Sequence, residues 1–116
     1  MKFKIEKNIK IINELISFCY HFSANDVTVN IKNSEHTSTI TVDAIINKFP
    51  EEDYANLVHS LNIPRQHEIE QYYWQLGGDN AFDCELSLVG MMTDEANISY
   101  ENSILHIELN RTDEGI

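Results

Sequence analysis

Hydrophobic and polar residues alternate with two different spacings, which divide the first half of the chain into a helix and two strands. Over residues 5–22 apolar side chains recur every three or four positions, the spacing of a wide helical face. Residues 26–32 and 37–44 alternate between apolar and polar side chains, which predicts half-buried strands. The polar residues 33–36 between them predict a turn, so the two strands are expected to form a hairpin.

The middle of the chain has helical spacing and three predicted helices. Pro50 precedes three acidic residues, an arrangement that favours a helix start, and Pro64 starts a second helix. Gly77-Gly78 ends that second helix. Asp83 is placed to cap a third helix that runs to about Met92.

Two further alternating segments, 96–101 and 104–110, predict a second hairpin around Asn102-Ser103. The resulting order is α-β-β-α-α-α-β-β, and residues 1–116 are expected to form one domain. It predicts an α+β two-layer sandwich: a mostly antiparallel mixed sheet of about four strands, with helices on one face. Segment 104–110 is treated as an edge strand that could pair in a homodimer, an arrangement that the sequence leaves open.

Charge narrows the classes of partner. The chain has 8 Lys and Arg against 19 Asp and Glu, a formal net charge of −11. Residues 1–58 contribute six basic and eight acidic side chains (−2), and residues 59–116 contribute two and eleven (−9). This negative field repels nucleic acid and anionic membranes, so neither is expected as a partner. A basic protein partner and a merely solvated acidic surface both remain open.

Cysteine usage and the N-terminus indicate a cytoplasmic protein with reduced thiols. Cys19 and Cys84 are too few for a disulfide framework. The first residues mix lysines and a glutamate with apolar residues and do not form a signal peptide. Apolar runs are only a few residues long, so no membrane span is expected.

Other combinations of reactive residues do not indicate a metal site, a phosphate loop or a catalytic nucleophile. Cys19 and His21 point apart on a helix, and His67 with Glu70 supplies too few ligands for zinc, so no metal site is expected. No Gly-Lys-Ser/Thr phosphate loop and no nucleophile elbow occur. The aromatic run 72–74 is compatible with core packing and with an exposed protein interface.

The first helix and the strand after it, NELISFCYHFS followed by VTVNI, resemble the first motif of the histidine-kinase-type ATPase superfamily, also called the Bergerat fold. Anti-sigma serine kinases, type II topoisomerases and heat-shock chaperones belong to the same superfamily. The resemblance implies that Glu14 stands where the family has a general base. Phe18 stands where the family has an asparagine that ligates Mg²⁺, and phenylalanine has no oxygen to offer that ion.

Two further strings resemble the family's nucleotide motifs. VDAIINKF resembles the Asp-x-Gly-x-Gly motif, which implies that Asp43 corresponds to the adenine-binding aspartate and that Ile45 and Asn47 replace glycines. DCELSLV resembles Gly-Leu-Gly-Leu-Ser-Leu-Val, with Asp83 and Glu85 at glycine positions. Glycine is needed there so that backbone N–H groups can approach the phosphates. Two carboxylates instead add bulk and negative charge.

The resemblance extends from about Ile5 to Arg111 and favours a pseudo-ATPase. We expect a non-catalytic protein-interaction or regulatory module that has lost Mg-ATP binding and takes no cofactor. Its partner would be another protein in a signalling or transcription-control pathway. Two alternatives remain. One is an active small ATP-binding protein resembling an anti-sigma serine kinase or a histidine kinase catalytic domain, with Asn13 or Asn47 as the Mg²⁺ ligand. The other is an unrelated α+β fold. Binding of an adenine-like ligand near Asp43 is also open.

Overall fold

The computed structural model describes residues 4–68, 70 and 86–112. Three helices and four strands lie wholly within these residues, and residues 67, 68 and 70 are also helical. In chain order these are α1 (Lys4–His21), β1 (Asp26–Asn33), β2 (Thr37–Ile45), α2 (Glu51–Leu61), α3 (Leu86–Met91), β3 (Glu95–Glu101) and β4 (Ile104–Thr112). The predicted hairpins, the first helix and the helix after Pro50 are confirmed. Residues 71–85 lie outside the described residues, and with them the aromatic run 72–74, Gly77-Gly78 and the cap at Asp83.

The four strands form one sheet in the order β1-β2-β4-β3, and each neighbouring pair is antiparallel. The α+β fold class with a sheet of four strands is therefore confirmed. The prediction that 104–110 is an edge strand is wrong, because β4 pairs with β2 on one side and with β3 on the other. Its inward residues Leu105, Ile107 and Leu109 are fully buried, as a central position requires.

The second hairpin is closed by a turn with left-handed backbone conformation. Asn102 has φ 53° and Ser103 has φ 64°. Two consecutive positive φ values are typical of the type I′ turn, whose twist matches that of the two strands it joins. This geometry sets the register in which Glu101 faces Ile104.

Strand register divides the side chains between two faces. Val29, Val42, Ile107 and Ile98 lie in one row across the sheet, and the rows on either side of it are also apolar. These rows form the core with the helices, where α1 packs on β1 and β2, and α2 packs on β3 and α3. Among the described helices, none is long and apolar enough to cross a membrane.

The opposite side of the sheet carries the alternate side chains, and we call it the open face. Four of its rows, read from β1 to β3, are Asp26–Ile45–Ile104–Glu101, Thr28–Asp43–His106–Ser99, Asn30–Thr41–Glu108–Asn97 and Lys32–Thr39–Asn110–Glu95. These side chains are half-buried or exposed, whereas the β2 and β4 side chains on the other face are buried. The open face is therefore the solvent side of a two-layer sandwich.

Candidate functional site

Glu14 and Phe18 lie on the buried side of α1, one helical turn apart. Glu14 accepts a hydrogen bond from Lys10 Nζ at 3.0 Å, an i,i+4 contact within the helix. Phe18 is 6% exposed and belongs to the hydrophobic core. The position that the family resemblance assigns to a metal ligand is therefore occupied by a core aromatic ring.

An aromatic cluster surrounds Phe18. Its ring lies 5.0 Å from the ring of Phe22 and 5.9 Å from that of Phe49, measured between centroids. Phe49 in turn contacts Tyr54 and Tyr100 edge-on. Such edge-to-face pairs stabilise a core beyond their buried area, by about 0.5–1.5 kcal/mol each. The cluster joins α1, α2 and β3 at one end of the molecule.

Asp43 lies on the open face, away from α1. Its chain neighbours Val42 and Ala44 are buried beneath the helices, and successive strand residues point to opposite faces. Asp43 Oδ1 lies 2.6 Å from Nδ1 of His106 on the adjacent strand β4. Both side chains are roughly half-exposed. The two residues form a cross-strand polar pair at the centre of the open face.

Ile45 also lies on the open face, where it is paired with Ile104 of β4. The two residues are 37% and 44% exposed. Ile45 is therefore not part of the core that contains Phe18. The two positions that match the family motifs, Glu14 and Asp43, are on opposite sides of the sheet.

Asn47 follows β2 and is exposed. It lines a shallow surface cavity of about 490 Å³ together with Phe22, Ser23, Asn25 and Lys48. These residues contain amide oxygens but no carboxylate. Asp83 and Glu85 lie outside the described residues, whereas the last four residues of the string that resembles the third motif, LSLV, begin α3.

The open face is rich in carboxylates. Within the four strands, Asp and Glu side chains point to it at five positions, against one lysine. The acidic positions are Asp26, Asp43, Glu95, Glu101 and Glu108. The exposed pair Ile45 and Ile104 lies in one row between Asp26 and Glu101. The face therefore combines an apolar pair at the end of the sheet where β2 ends and β4 begins with five carboxylates.

A buried polar cluster centred on Glu70 lies at the end of the sheet opposite the aromatic cluster. Its Oε2 accepts hydrogen bonds from Lys7 Nζ and Arg111 Nη2, each at 2.9 Å. Arg65 Nε donates to Oε1 at 3.0 Å and its Nη1 donates to Asp94 at 2.6 Å. Arg111 also donates to Asn8 Oδ1 at 2.7 Å. The cluster joins α1, β4 and the segment after α2.

Electrostatics keep Glu70 ionised. Burial alone raises the pKa of a carboxyl group, because the charged form loses its water. The hydrogen bond from Lys7, the charge of Arg111 and the contacts with Arg65 outweigh this effect, so the pKa of Glu70 lies below its ordinary value of 4.5. Because the Glu70 carboxylate and the cations that contact it are buried, we interpret this cluster as a structural link between α1, β4 and the segment after α2.

Sequence patterns contained part of the information on these contacts. Arg111 continues the inward series Leu105, Ile107 and Leu109 on β4, and Lys7 lies on the apolar stripe of α1 four residues before Ile11. Both positions indicate burial. Their common partner could not be inferred, since Glu70 is 63 residues from Lys7 and 41 from Arg111.

Neither a metal-binding group nor a comparison with known proteins indicates a function for this site. Within residues 4–68, 70 and 86–112, no group of three or more His, Cys, Asp or Glu side chains is arranged to hold a metal ion. No protein-family model, curated protein or solved structure matches the chain.

Proposed function

We propose that this chain is a non-catalytic protein-binding module on a scaffold resembling that of the histidine-kinase-type ATPases. In this proposal it has lost Mg-ATP binding and acts through the open face. The observation that carries the proposal is the separation of Glu14 from Asp43 by the sheet. A nucleotide cannot contact both residues in one pocket.

The metal position supports the same conclusion. Mg²⁺ requires oxygen ligands in near-octahedral geometry. At the position of the family's metal-binding asparagine on α1, this chain has Phe18, whose ring packs against Phe22 and Phe49. A move of Phe18 out of the core would expose a large apolar side chain, so this position is committed to packing.

The open face is the surface that we assign to partner binding. Its exposed isoleucines, Ile45 and Ile104, offer apolar contact, and carboxylates stand at both ends of their row. Complementary charge accelerates encounter and selects partners, while apolar contacts contribute most of the affinity. The partner that fits is a protein whose surface carries lysines or arginines around an aliphatic side chain.

The cellular setting follows from the same proposal. The family resemblance favours a regulatory protein in a signalling or transcription-control pathway as the partner. A chain with two cysteines, one of them in the core as Cys19, suits a reducing compartment, so we place this function in the cytoplasm.

A peptide titration tests the open face directly. The probe is a peptide in which lysine and leucine alternate, compared with its glutamate-leucine counterpart. We expect the basic peptide to bind with an affinity that falls as salt is added, and we expect the acidic peptide not to bind. NMR chemical-shift changes should concentrate on residues whose side chains lie on the open face.

Charge reversal supplies the control. The double variant Glu101→Lys/Glu108→Lys reverses two open-face carboxylates, whereas Glu35→Lys/Glu52→Lys makes the same net change at exposed positions in the β1-β2 turn and on α2. The first variant should lose basic-peptide binding and the second should retain it. Equal losses in both would mean that only the overall charge attracts the peptide, and the proposed surface would be wrong.

A further inference from the structure

Among residues 4–68, 70 and 86–112, no strand pairs with the outer edge of β1. Ser34 N donates to Thr37 O at 2.9 Å, which makes these two residues a hydrogen-bonded pair of the β1-β2 ladder. Because antiparallel bonding alternates along a strand, Val27, Val29 and Ile31 direct their N–H and C=O groups away from β2. The strand has eight residues and no proline. Such an edge readily accepts a further strand.

The other edge of the sheet differs. On β3 the carbonyl oxygen of Ile98 accepts a hydrogen bond from the hydroxyl of Tyr54 at 3.1 Å. Tyr54 belongs to α2, which packs against β3. The β3 edge is therefore partly occupied by the protein's own side chain, so β1 is the better edge for pairing.

An apolar strip on α1 accompanies the β1 edge. Lys7 contacts Glu70, so the helix flank that carries Lys7 faces the interior between α1 and β4. At 100° per residue, Ile5 and Ile9 lie on the side of α1 opposite Lys7, on a helix that packs on β1 and β2. They are 69% and 49% exposed, and Ile31 on β1 is 42% exposed. The β1 edge thus offers backbone hydrogen-bonding groups, and the helix that packs on β1 offers exposed apolar side chains.

Charges on β1 select a second copy as the occupant. When two β1 strands pair antiparallel about Val29, Val29 faces the partner's Val29 and Val27 faces the partner's Ile31. In that register Asp26 lies opposite the partner's Lys32, and symmetry repeats the pair. Asp26 and Lys32 are the two charged residues of the strand, and both are exposed. Opposite charges directly across two strands stabilise the pairing.

We infer that the protein forms a two-fold symmetric homodimer in which β1 pairs with the partner's β1. The two sheets then join into one of eight strands, and the Ile5–Ile9 flanks of the two α1 helices become covered. Asp26 and Lys32 point to the open face, but this inference rests on the backbone edge of β1 and on α1, so it can fail without the proposed function failing.

Sedimentation equilibrium over a concentration series tests the inference. We expect the full chain to approach twice its 13.4 kDa mass. Asp26→Lys and Lys32→Asp each place like charges opposite one another twice per dimer, and each should raise the dimer dissociation constant at least about tenfold, or about 1.4 kcal/mol. An equimolar mixture of the two variants should recover dimerisation, because each lysine then faces an aspartate of the other chain.

A second pair of variants tests the apolar strip. Ile9→Lys should weaken the dimer, while Asn56→Lys, an equal change of charge at an exposed position of α2, should leave it intact. A wild-type protein that stays monomeric throughout the series would overturn the inference. A dimer that is insensitive to both charge variants and shows no recovery in the mixture would overturn it as well.

Discussion

The guanidinium of Arg111 donates to the carboxylate of Glu70 at 2.9 Å, and the side chains are 1% and 3% exposed. Lys7 donates to the same carboxylate oxygen. One buried anion thus connects the first helix, the last strand and the segment after α2. Removal of that anion would leave two buried cations without their carboxylate partner.

We predict that Glu70→Gln lowers the free energy of unfolding by about 3–5 kcal/mol, the usual cost of breaking a buried ion pair from one side. Urea denaturation measures the loss. Glu68→Gln is the matched control, because Glu68 is exposed two residues earlier and its change should stay within about 0.5 kcal/mol. Equally small losses of unfolding free energy in both variants would mean that Glu70 is not important for the stability of the fold.

Acid should weaken the fold through the same residue. The folded-state pKa of Glu70 is lowered, so its contribution to stability is complete above 4.5 and declines as the pH falls through the folded-state value. The difference in unfolding free energy between wild type and Glu70→Gln should therefore be constant near neutral pH and shrink below 4.5. A difference that grows on acidification would contradict this sign.

Phe18 should behave as a core residue. Phe18→Ala is expected to cost about 3–5 kcal/mol, because it opens a cavity between Phe22 and Phe49. Tyr20→Ala on the same helix, at a position 66% exposed, should cost far less. Thermal melts compare the two variants. Comparable losses would place Phe18 outside the core.

Gly90 should tolerate no side chain. A Cβ atom there would collide with the backbone carbonyl of Ser60 on α2, because α3 and α2 approach closely at this point. Alanine normally stabilises a helix relative to glycine by roughly 0.5–1 kcal/mol. A higher free energy of unfolding for Gly90→Ala would therefore contradict this close packing. We predict that Gly90→Ala instead destabilises the protein by about 1–3 kcal/mol, measured by denaturation.

Alternation of apolar and polar residues predicted which side chains lie on each face of the sheet. The pattern that places Ile40, Val42 and Ala44 inward also places Asp43 outward, and the structure has this arrangement. The family resemblance assigned Glu14 and Asp43 to nucleotide-site positions, and the structure has them on opposite sides of the sheet. Local periodicity is set by strand geometry over a few residues, whereas a site depends on how distant elements are packed.

The position of β4 illustrates the same limit. Its alternation predicted a strand but not its neighbours, since an inward apolar series is compatible with an edge or a centre. The paired register with both β2 and β3 settles its central place. Strand order, like the partners of Glu70, depends on contacts between residues far apart in the sequence.

Nucleotide titration tests the central claim most directly. ATP, ADP and adenosine would be added with and without Mg²⁺, and thermal unfolding would be followed together with the fluorescence of the single tryptophan. Ligand at 100 times its dissociation constant adds about 2.7 kcal/mol of stability, a readily measured shift. We predict no shift with ATP in the presence of Mg²⁺. A Mg²⁺-dependent ATP shift would contradict the account, because we propose that Phe18 and the separation of Glu14 from Asp43 prevent Mg-ATP binding.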